Sequence, residues 1–348
     1  MNCHRSDYRP GGRGNPRGER GAALVVAMLV FALSTALVVA MKSEFARFYQ
    51  RSANVLHTEQ AYAYLRGAED LAGIALLVDY DQDKEREQPR DDLSEIWAQP
   101  TTPYALEEGG WLVGSLEDLQ GRFNLNFLVD KAPEGKGKPR FTAAQAQFIR
   151  LLQALEEPPV SEQEAILIAE SISDWLDQDE SPSANGAEDD YYSSRTPAHR
   201  TGNRPMASVS ELRSVAYITP EIYRALEPWV TVWPQTPAPL NIHTAPLTVL
   251  RSINVDQNLN PLSEADGLLL VEYRENSGFT DLDDFLVNPV FGEKPEQMEG
   301  IKPLLGQYSA YFLLQAEVEV ADRNMRLYSV LQRRNRQINA MARAGGSL

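Results

Sequence analysis

Ala22 to Met41 is a run of twenty residues without a charge, and it constrains the chain more than anything else in it. As a helix rising ~1.5 Å per residue the run is roughly 30 Å long, one bilayer hydrocarbon core. Residues 1–21 before it carry Arg5, Arg9, Arg13, Arg17 and Arg20 against Asp7 and Glu19. Such a flank, rich in Gly, Pro and Arg, is expected to be unstructured. The whole chain leans the other way, with 33 Lys+Arg against 49 Asp+Glu and a formal charge of −16. Arginines on one side and an acidic bulk on the other predict a cytoplasmic N-terminus with the remainder across the membrane.

A secretory signal peptide has an apolar core of about 7–15 residues and then a small-residue cleavage site. Here the core is longer, and Lys42, Glu44 and Arg47 follow with no break in helical character. Two readings of the residues remain open. One is a plain single-span anchor. The other is a prepilin-like signal, in which a basic leader ending in Gly is cut before the apolar run and the run is retained. The Gly-Glu-Arg-Gly21 ending and the abrupt start at Ala22 suit the second. From Lys42 to Arg66 there is no Gly or Pro, and Phe45, Phe48, Ser52, Val55, Leu56, Tyr62 and Leu65 recur at three- and four-residue steps. That is one apolar stripe on a continuing helix.

The 348 residues suffice for two or three compact units. Cys3 is the single cysteine, which excludes a disulfide framework and any Cys-built metal site within one chain. The acidic balance argues against a general nucleic-acid binder. Asp79 to Pro103 is polar and reads as a linker or surface loop. Gly110–Leu116 and Gly121–Leu128 read as strands or extended segments. Near the other end, Tyr311–Val320 and Met325–Gln332 alternate apolar and polar residues around an Ala-Asp-Arg-Asn turn. An isolated hairpin is marginal in water, so both pairs are expected in one sheet packed on the N-terminal helix. Between about 130 and 305 the pattern is helical. Thr142, Ser161 and Ser208 open capping boxes, and Pro220 follows Thr219 at a first helical position. Phe123-Asn-Leu-Asn-Phe-Leu128 and Pro239-Leu-Asn-Ile-His-Thr-Ala-Pro-Leu247 echo one another ahead of helical runs, which suggests two related lobes.

The candidate ligand site is acidic: Asp174-Trp-Leu-Asp177-Gln-Asp179-Glu180, then Glu188-Asp189-Asp190 beyond a Ser-Pro-Ser-Ala-Asn-Gly turn. Converging carboxylates repel unless a cation neutralises them, and Ca²⁺ tolerates the irregular geometry of such a loop better than Mg²⁺. The spacing is not that of an EF-hand, and a solvated acidic loop is the competing reading. Leu240–Leu250, Ala265–Arg274 and Gly278–Phe285 look like a helix-hairpin-helix unit. The stretch Ile253–Leu262 between them lacks the glycine pair and the Lys or Arg of a phosphate-binding hairpin, so a packing or protein-contact module is expected. His4, His57, His199 and His243 show no ligand-like spacing, and the common catalytic motifs are absent from the sequence.

Together these residues resemble the type II secretion system minor pseudopilin K family. The resemblance rests on Arg20-Gly21-Ala22 before the apolar run, Gly121-Arg-Phe-Asn-Leu-Asn, Ser173-Asp-Trp-Leu-Asp-Gln-Asp179, Gly186-Ala-Glu-Asp-Asp-Tyr-Tyr192, Ser210-Glu-Leu-Arg and Leu240-Asn-Ile-His-Thr-Ala-Pro. It implies an α+β, type IV pilin-like fold, a long N-terminal helix on a small antiparallel sheet. A large all-α insertion with helix-hairpin-helix or SAM-like lobes interrupts that fold. The implied domains are a leader (1–21), transmembrane helix (22–41), periplasmic helix (42–78), first part of the β unit (79–129), inserted α-domain (130–305), C-terminal strands (306–334) and a flexible tail (335–348). It further implies cleavage by prepilin peptidase between Gly21 and Ala22 with methylation of the new terminus. Calcium would be held by Asp177, Asp179, Glu188, Asp189 and Asp190, and minor pseudopilins I and J would be partners in a pseudopilus tip. The function implied is non-enzymatic: a subunit of the inner membrane that initiates or caps the pseudopilus for export of folded proteins. Most pilin-like subunits carry Glu at the fifth mature position; here it is Val26. A carboxylate in an apolar bundle is costly unless paired, and a subunit at the extreme tip has nothing above it to pair with. The alternatives are a type IV pilus minor pilin and a membrane-anchored helix-hairpin-helix DNA-binding protein.

Overall fold

A computed structural model of the protein describes residues 19–85, 89–107, 109–132, 139–256, 258–292 and 295–346. The unstructured leader expected for 1–21 falls largely on residues 1–18, outside the described residues. Helix α1 runs Glu19–Asp83 and already includes Gly21 and Ala22. The chain forms two compact units that meet at Gln60 and Ala61. In the first, the large apolar side chains from Leu24 to Met41 are half or more exposed, as are Phe45, Phe48, Val55 and Leu56. Among the described residues this is the one helix long and apolar enough to cross a membrane.

In the second unit α1 buries Ala61, Leu65, Ala68, Ala72 and Leu76 along one stripe. The segment after α1 is more than a linker. Asp91 and Trp97 are buried, and the Arg333 guanidinium lies between the Asp79 and Asp91 carboxylates, 2.7 Å from Asp79. Strands β1 (Tyr104–Ala105) and β2 (Trp111–Asp118) follow. Gly110, at φ 102°, must be glycine, because a Cβ there would fall 1.9 Å from the Glu319 carbonyl oxygen.

After β2 the chain leaves the sheet. Of the expected strand or extended segment Gly121–Leu128 only β3 (Phe123–Asn124) is extended, and Leu125–Val129 is a 3₁₀ turn. The cause is local. The Asn124 side chain accepts the Asn126 backbone N–H and turns the chain out of the strand. Helices α2 (Ala143–Gln153) and α3 (Glu162–Leu176) begin at the capping boxes of Thr142 and Ser161. Short helices α4 (Asp189–Ser193) and α5 (Pro220–Leu226) follow, and β4 (Val230–Thr231) pairs in parallel with β3. The Ser208 box opens a 3₁₀ turn, Val209–Ser214. Next come β5 (Leu240–Asn241), α6 (Leu247–Arg251), α7 (Glu264–Asn276), α8 (Leu282–Leu286) and β6 (Leu305–Gly306), the last pairing in parallel with β5. Asn241 repeats the role of Asn124, accepting the His243 backbone N–H. The region expected as all-α thus contributes strands to two short parallel ladders, each opening on one of the echoed Asn motifs.

The chain returns in β7 (Tyr311–Val320), β8 (Arg323–Arg334) and β9 (Gln337–Ala344), giving an antiparallel sheet of order β1-β2-β7-β8-β9. The β7–β8 turn, Ala321–Asp322, has positive φ at both residues, the twist that suits a two-residue hairpin. Phe312, Leu314, Ala316, Val318 and Val320 face the α1 stripe. Residues 335–348, expected as a flexible tail, carry β9 instead. Asn335 and Arg336 supply a second positive-φ turn, and Arg343 locks the strand to α1 through a two-pronged pair with Glu69, 2.8 and 3.0 Å. Ser329 donates to the same carboxylate at 2.7 Å.

Candidate metal centre in the helical region

Asp174 lies in the last turn of helix α3, and Asp177, in extended conformation, is its C-terminal cap residue. The chain then leaves for residues 178–187 and returns with Glu188 at the position before α4, where its side chain makes no capping hydrogen bond. Carboxylate oxygens of Asp174, Asp177 and Glu188 converge within 4.8 Å of one another, and all three side chains are buried. The return loop is held in place from behind. Glu170 accepts from the Asn185 backbone and side-chain nitrogens at 2.7 and 2.9 Å, and Arg140 lies 3.2 Å from its other oxygen. Asp174 accepts from Ser183 Oγ at 2.6 Å and from its backbone N–H. Gly186 passes so close that a Cβ would sit 1.9 Å from Asp174 Oδ2. A side chain at that position would fill the space that brings the loop onto the cluster.

The hydroxyl of Thr201 is near enough to Glu188 to favour its charged form, but it is directed at Asp189, 2.9 Å away, and no donor among the described residues is aligned on either Glu188 oxygen. Lys131 Nζ stands 2.8 Å from Asp177 Oδ2 and 2.8 Å from Asp179 Oδ2, at the open side. Burial, with the charges of Asp174 and Asp177, pushes the Glu188 carboxyl up to about 7. Burial also raises Asp174, against the hydrogen bonds from Ser183. Burial alone would lower the Lys131 ammonium, yet Asp177 and Asp179 hold it above its ordinary range. Three buried carboxylates within 4.8 Å of one another could hold a hard cation, and oxygen-only ligation suits Ca²⁺.

Of the five carboxylates singled out in the sequence, the structure brings together Asp177 and Glu188. Asp179 is exposed and paired with Lys131. Asp189 turns to Thr201, accepting its N–H and hydroxyl at 2.9 Å each. Asp190 is exposed. The missed member is Asp174, whose three-residue offset from Asp177 was visible in the sequence.

The helix-hairpin-helix stretch has its own logic. The buried Arg150 guanidinium donates to the carbonyls of Ser252 at 2.8 Å and Asn258 at 2.7 Å. Burial lowers Arg150 to about 10. This loop therefore directs carbonyls inward to a cation, whereas a phosphate-binding hairpin offers amides. His243 is buried against Gln307 and lowered by burial, a packing role.

A membrane-length helix whose far half packs on an antiparallel sheet, with a helical region between two paired strands, defines a protein of mixed helix and sheet with one N-terminal apolar helix that fits a single-pass anchor. Comparison with known proteins makes the assignment specific. Residues 121–235 match the family described as type II secretion system (T2SS), protein K. The type II secretion system protein K of Pseudomonas aeruginosa is 36% identical over 333 residues, covering 95% of this chain and 94% of that one. The protein of the same name from Pectobacterium carotovorum is 30% identical over 334 residues, covering 94% and 97%. The crystal structure of the GspK-GspI-GspJ complex from the enterotoxigenic Escherichia coli type 2 secretion system contains a chain with TM-score 0.71 and 27% identity, covering 86% of this chain and all of that one. The chain belongs to the type II secretion system protein K family and is a minor pseudopilin of that system.

Proposed function

We propose that this chain caps the pseudopilus tip, in contact with minor pseudopilins I and J, and that it enters the filament from the inner membrane. The observation that carries this reading is the uncovered apolar face from Leu24 to Leu56 on the same helix that packs on the sheet from Ala61 onward. Such a face suits lipid first and neighbouring helices later. The basic flank sets a cytoplasmic N-terminus with the bulk in the periplasm, prepilin peptidase cuts between Gly21 and Ala22, and the new terminus is methylated. Helix α1 with the five-stranded sheet is the pilin-like body. The region between β2 and β7 is its insertion, in two lobes that each open on an Asn-turn motif and close on a parallel ladder. Val26 in place of an acidic residue fits a subunit with no neighbour above it. The Escherichia coli complex, in which GspK is joined with GspI and GspJ, supports the same partners here. The role is structural, with no catalytic step.

Calcium is part of the proposal. Asp174, Asp177 and Glu188 would hold it, with Lys131 displaced from Asp177 as the ion enters. Bound Ca²⁺ would supply two positive charges to the crowded carboxylates, which Asp174 and Asp177 at the end of α3 and Glu188 at the start of α4 would share.

The deciding experiment is intact-mass and N-terminal analysis of protein extracted from membranes. The expected species begins at methylated Ala22. Material beginning at Met1, or well beyond Met41, overturns the reading.

A further inference from the structure

Residues 191–218 wall a cavity of about 350 Å³ beside the carboxylate cluster, within the size range of ligand pockets. Its aromatic side is Tyr191 and Tyr217, with ring centroids 6.0 Å apart. Tyr217 sits at φ 63°, a left-handed conformation that a bulky side chain adopts only under strain. Burial does not compensate, since Tyr217 remains 41% exposed. What the backbone conformation achieves is to hold one aromatic ring out beside another at the cavity mouth.

The cavity is also cationic. Arg195 lies over the Tyr191 ring, 4.6 Å from its centroid, and bonds its hydroxyl. Arg213 lies over Tyr223, 5.3 Å from the centroid. The nearby Arg200, Arg204 and Arg224 each have a carboxylate within 4 Å, namely Asp189, Glu211 and Glu221. Arg195 and Arg213 have none among the described residues, in a chain of charge −16. Glu227 accepts from Tyr223 Oη rather than pairing with Arg213. Both ring nitrogens of His199 face backbone oxygens, of Pro197 and Ser214, at 3.2 Å, which fixes the imidazole as a wall.

We infer that this cavity binds a carboxylate of a polypeptide, presented beside an apolar or aromatic side chain. A guanidinium fork matches a carboxylate in two hydrogen bonds, and the half-exposed Tyr217 ring, braced by Tyr191, offers a face to a flat apolar group. The volume admits one or two side chains, not a folded surface. The choice of a polypeptide as carrier rests on the family's place in a secretion system. The carboxylate can come from a chain terminus or from an Asp or Glu beside an aromatic residue.

The test uses the full chain in detergent with saturating Ca²⁺, followed by amide chemical shifts. The probes are N-acetyl-phenylalanine, its amide, N-acetyl-Phe-Asp-amide and glucuronate. The expected result is saturable binding of one or both carboxylate peptides, which tells terminus from side chain. Removing the carboxylate should weaken binding about tenfold, as should Arg195→Ala or Arg213→Ala. Tyr217→Gly separates binding from folding, because glycine enters the left-handed region freely. That variant should bind at least about tenfold more weakly while its Tm is unchanged or raised. The inference is overturned if acid and amide bind alike, if glucuronate binds as tightly as the peptides, if no probe saturates, or if Tyr217→Gly lowers Tm and still binds. None of these outcomes bears on the N-terminal analysis that tests the pseudopilus assignment.

Discussion

Glu188→Gln gives the most direct test of the carboxylate cluster, because its effect should change sign with calcium. Without a cation, Glu188 is pushed up to about 7 from an ordinary 4.5 by burial and by Asp174 and Asp177. A carboxyl whose pKa is higher folded than unfolded is favoured while protonated. Its penalty therefore grows as pH rises from 4.5 and is complete above about 7. That difference corresponds to about 3 kcal/mol, and screening through the open side beside Lys131 reduces it to roughly 1–2 kcal/mol. In a protein of this size the expected change in Tm is about 2–6 °C. With EDTA, the wild type should lose that much relative to Glu188→Gln between pH 5 and 8. With Ca²⁺ at 100 times Kd, the wild type should gain about 2.7 kcal/mol and the variant much less. Thermal melts of the full chain in detergent, with EDTA or Ca²⁺ at both pH values, read all four states. A variant that is less stable in EDTA yet gains as much from calcium as the wild type would refute the cluster as a cation site.

Gly186→Ala places a methyl 1.9 Å from Asp174 Oδ2 and should cost about 1–3 kcal/mol while blunting the calcium-induced rise in Tm, read by calcium titration. Glu69→Ala removes the partner of Arg343 and Ser329 and should cost about 2–3 kcal/mol in denaturant melts. Burial works against the Glu69 carboxylate, but hydrogen bonds from Arg343 and Ser329 hold it below its ordinary 4.5. Its contribution is therefore present above that value and lost as pH falls through the folded pKa, so the variant should show a smaller acid-induced loss than the wild type. Val26→Glu should reduce co-purification with minor pseudopilins I and J and reduce exoprotein release; unchanged levels of both would count against the tip position.

Most of the architecture was legible because it rests on local signals. The capping boxes at Thr142 and Ser161, the alternation in β7 and β8, and the uncharged run from Ala22 each state their structure within a few residues. The misses have a common cause in long-range partners. Ala340, Ala342 and Ala344 alternate with Asn339, Met341 and Arg343, but alanine is a weak strand signal, and β9 is secured by Glu69, far away in sequence. Within Gly121–Leu128 the β-rich composition was outweighed by a single Asn124 hydrogen bond. At the carboxylate cluster, the structure draws together only Asp177 and Glu188 of the five acids that the sequence singled out, and adds Asp174. Which acids turn inward depends on Thr201 taking Asp189 and on Lys131 reaching Asp179, contacts that no spacing rule reveals. Tyr217 left no trace in the sequence, since nothing in Ala-Tyr-Ile announces a positive φ.

The point where the chain leaves the sheet has a mechanical consequence. Asp118 ends β2 directly opposite Phe312 on β7, and the Asp118 carboxylate gathers Thr244, Ser309 and Asn241 around that junction. A pull on the helical region is therefore taken up by two strands side by side and in the same direction. Neither strand slides past the other, so the bonds between them are spared. The force passes outward to β1 and β8, which would have to yield in shear, the geometry in which a ladder is hardest to break, and a thrust at the tip is delivered to the sheet without unzipping it.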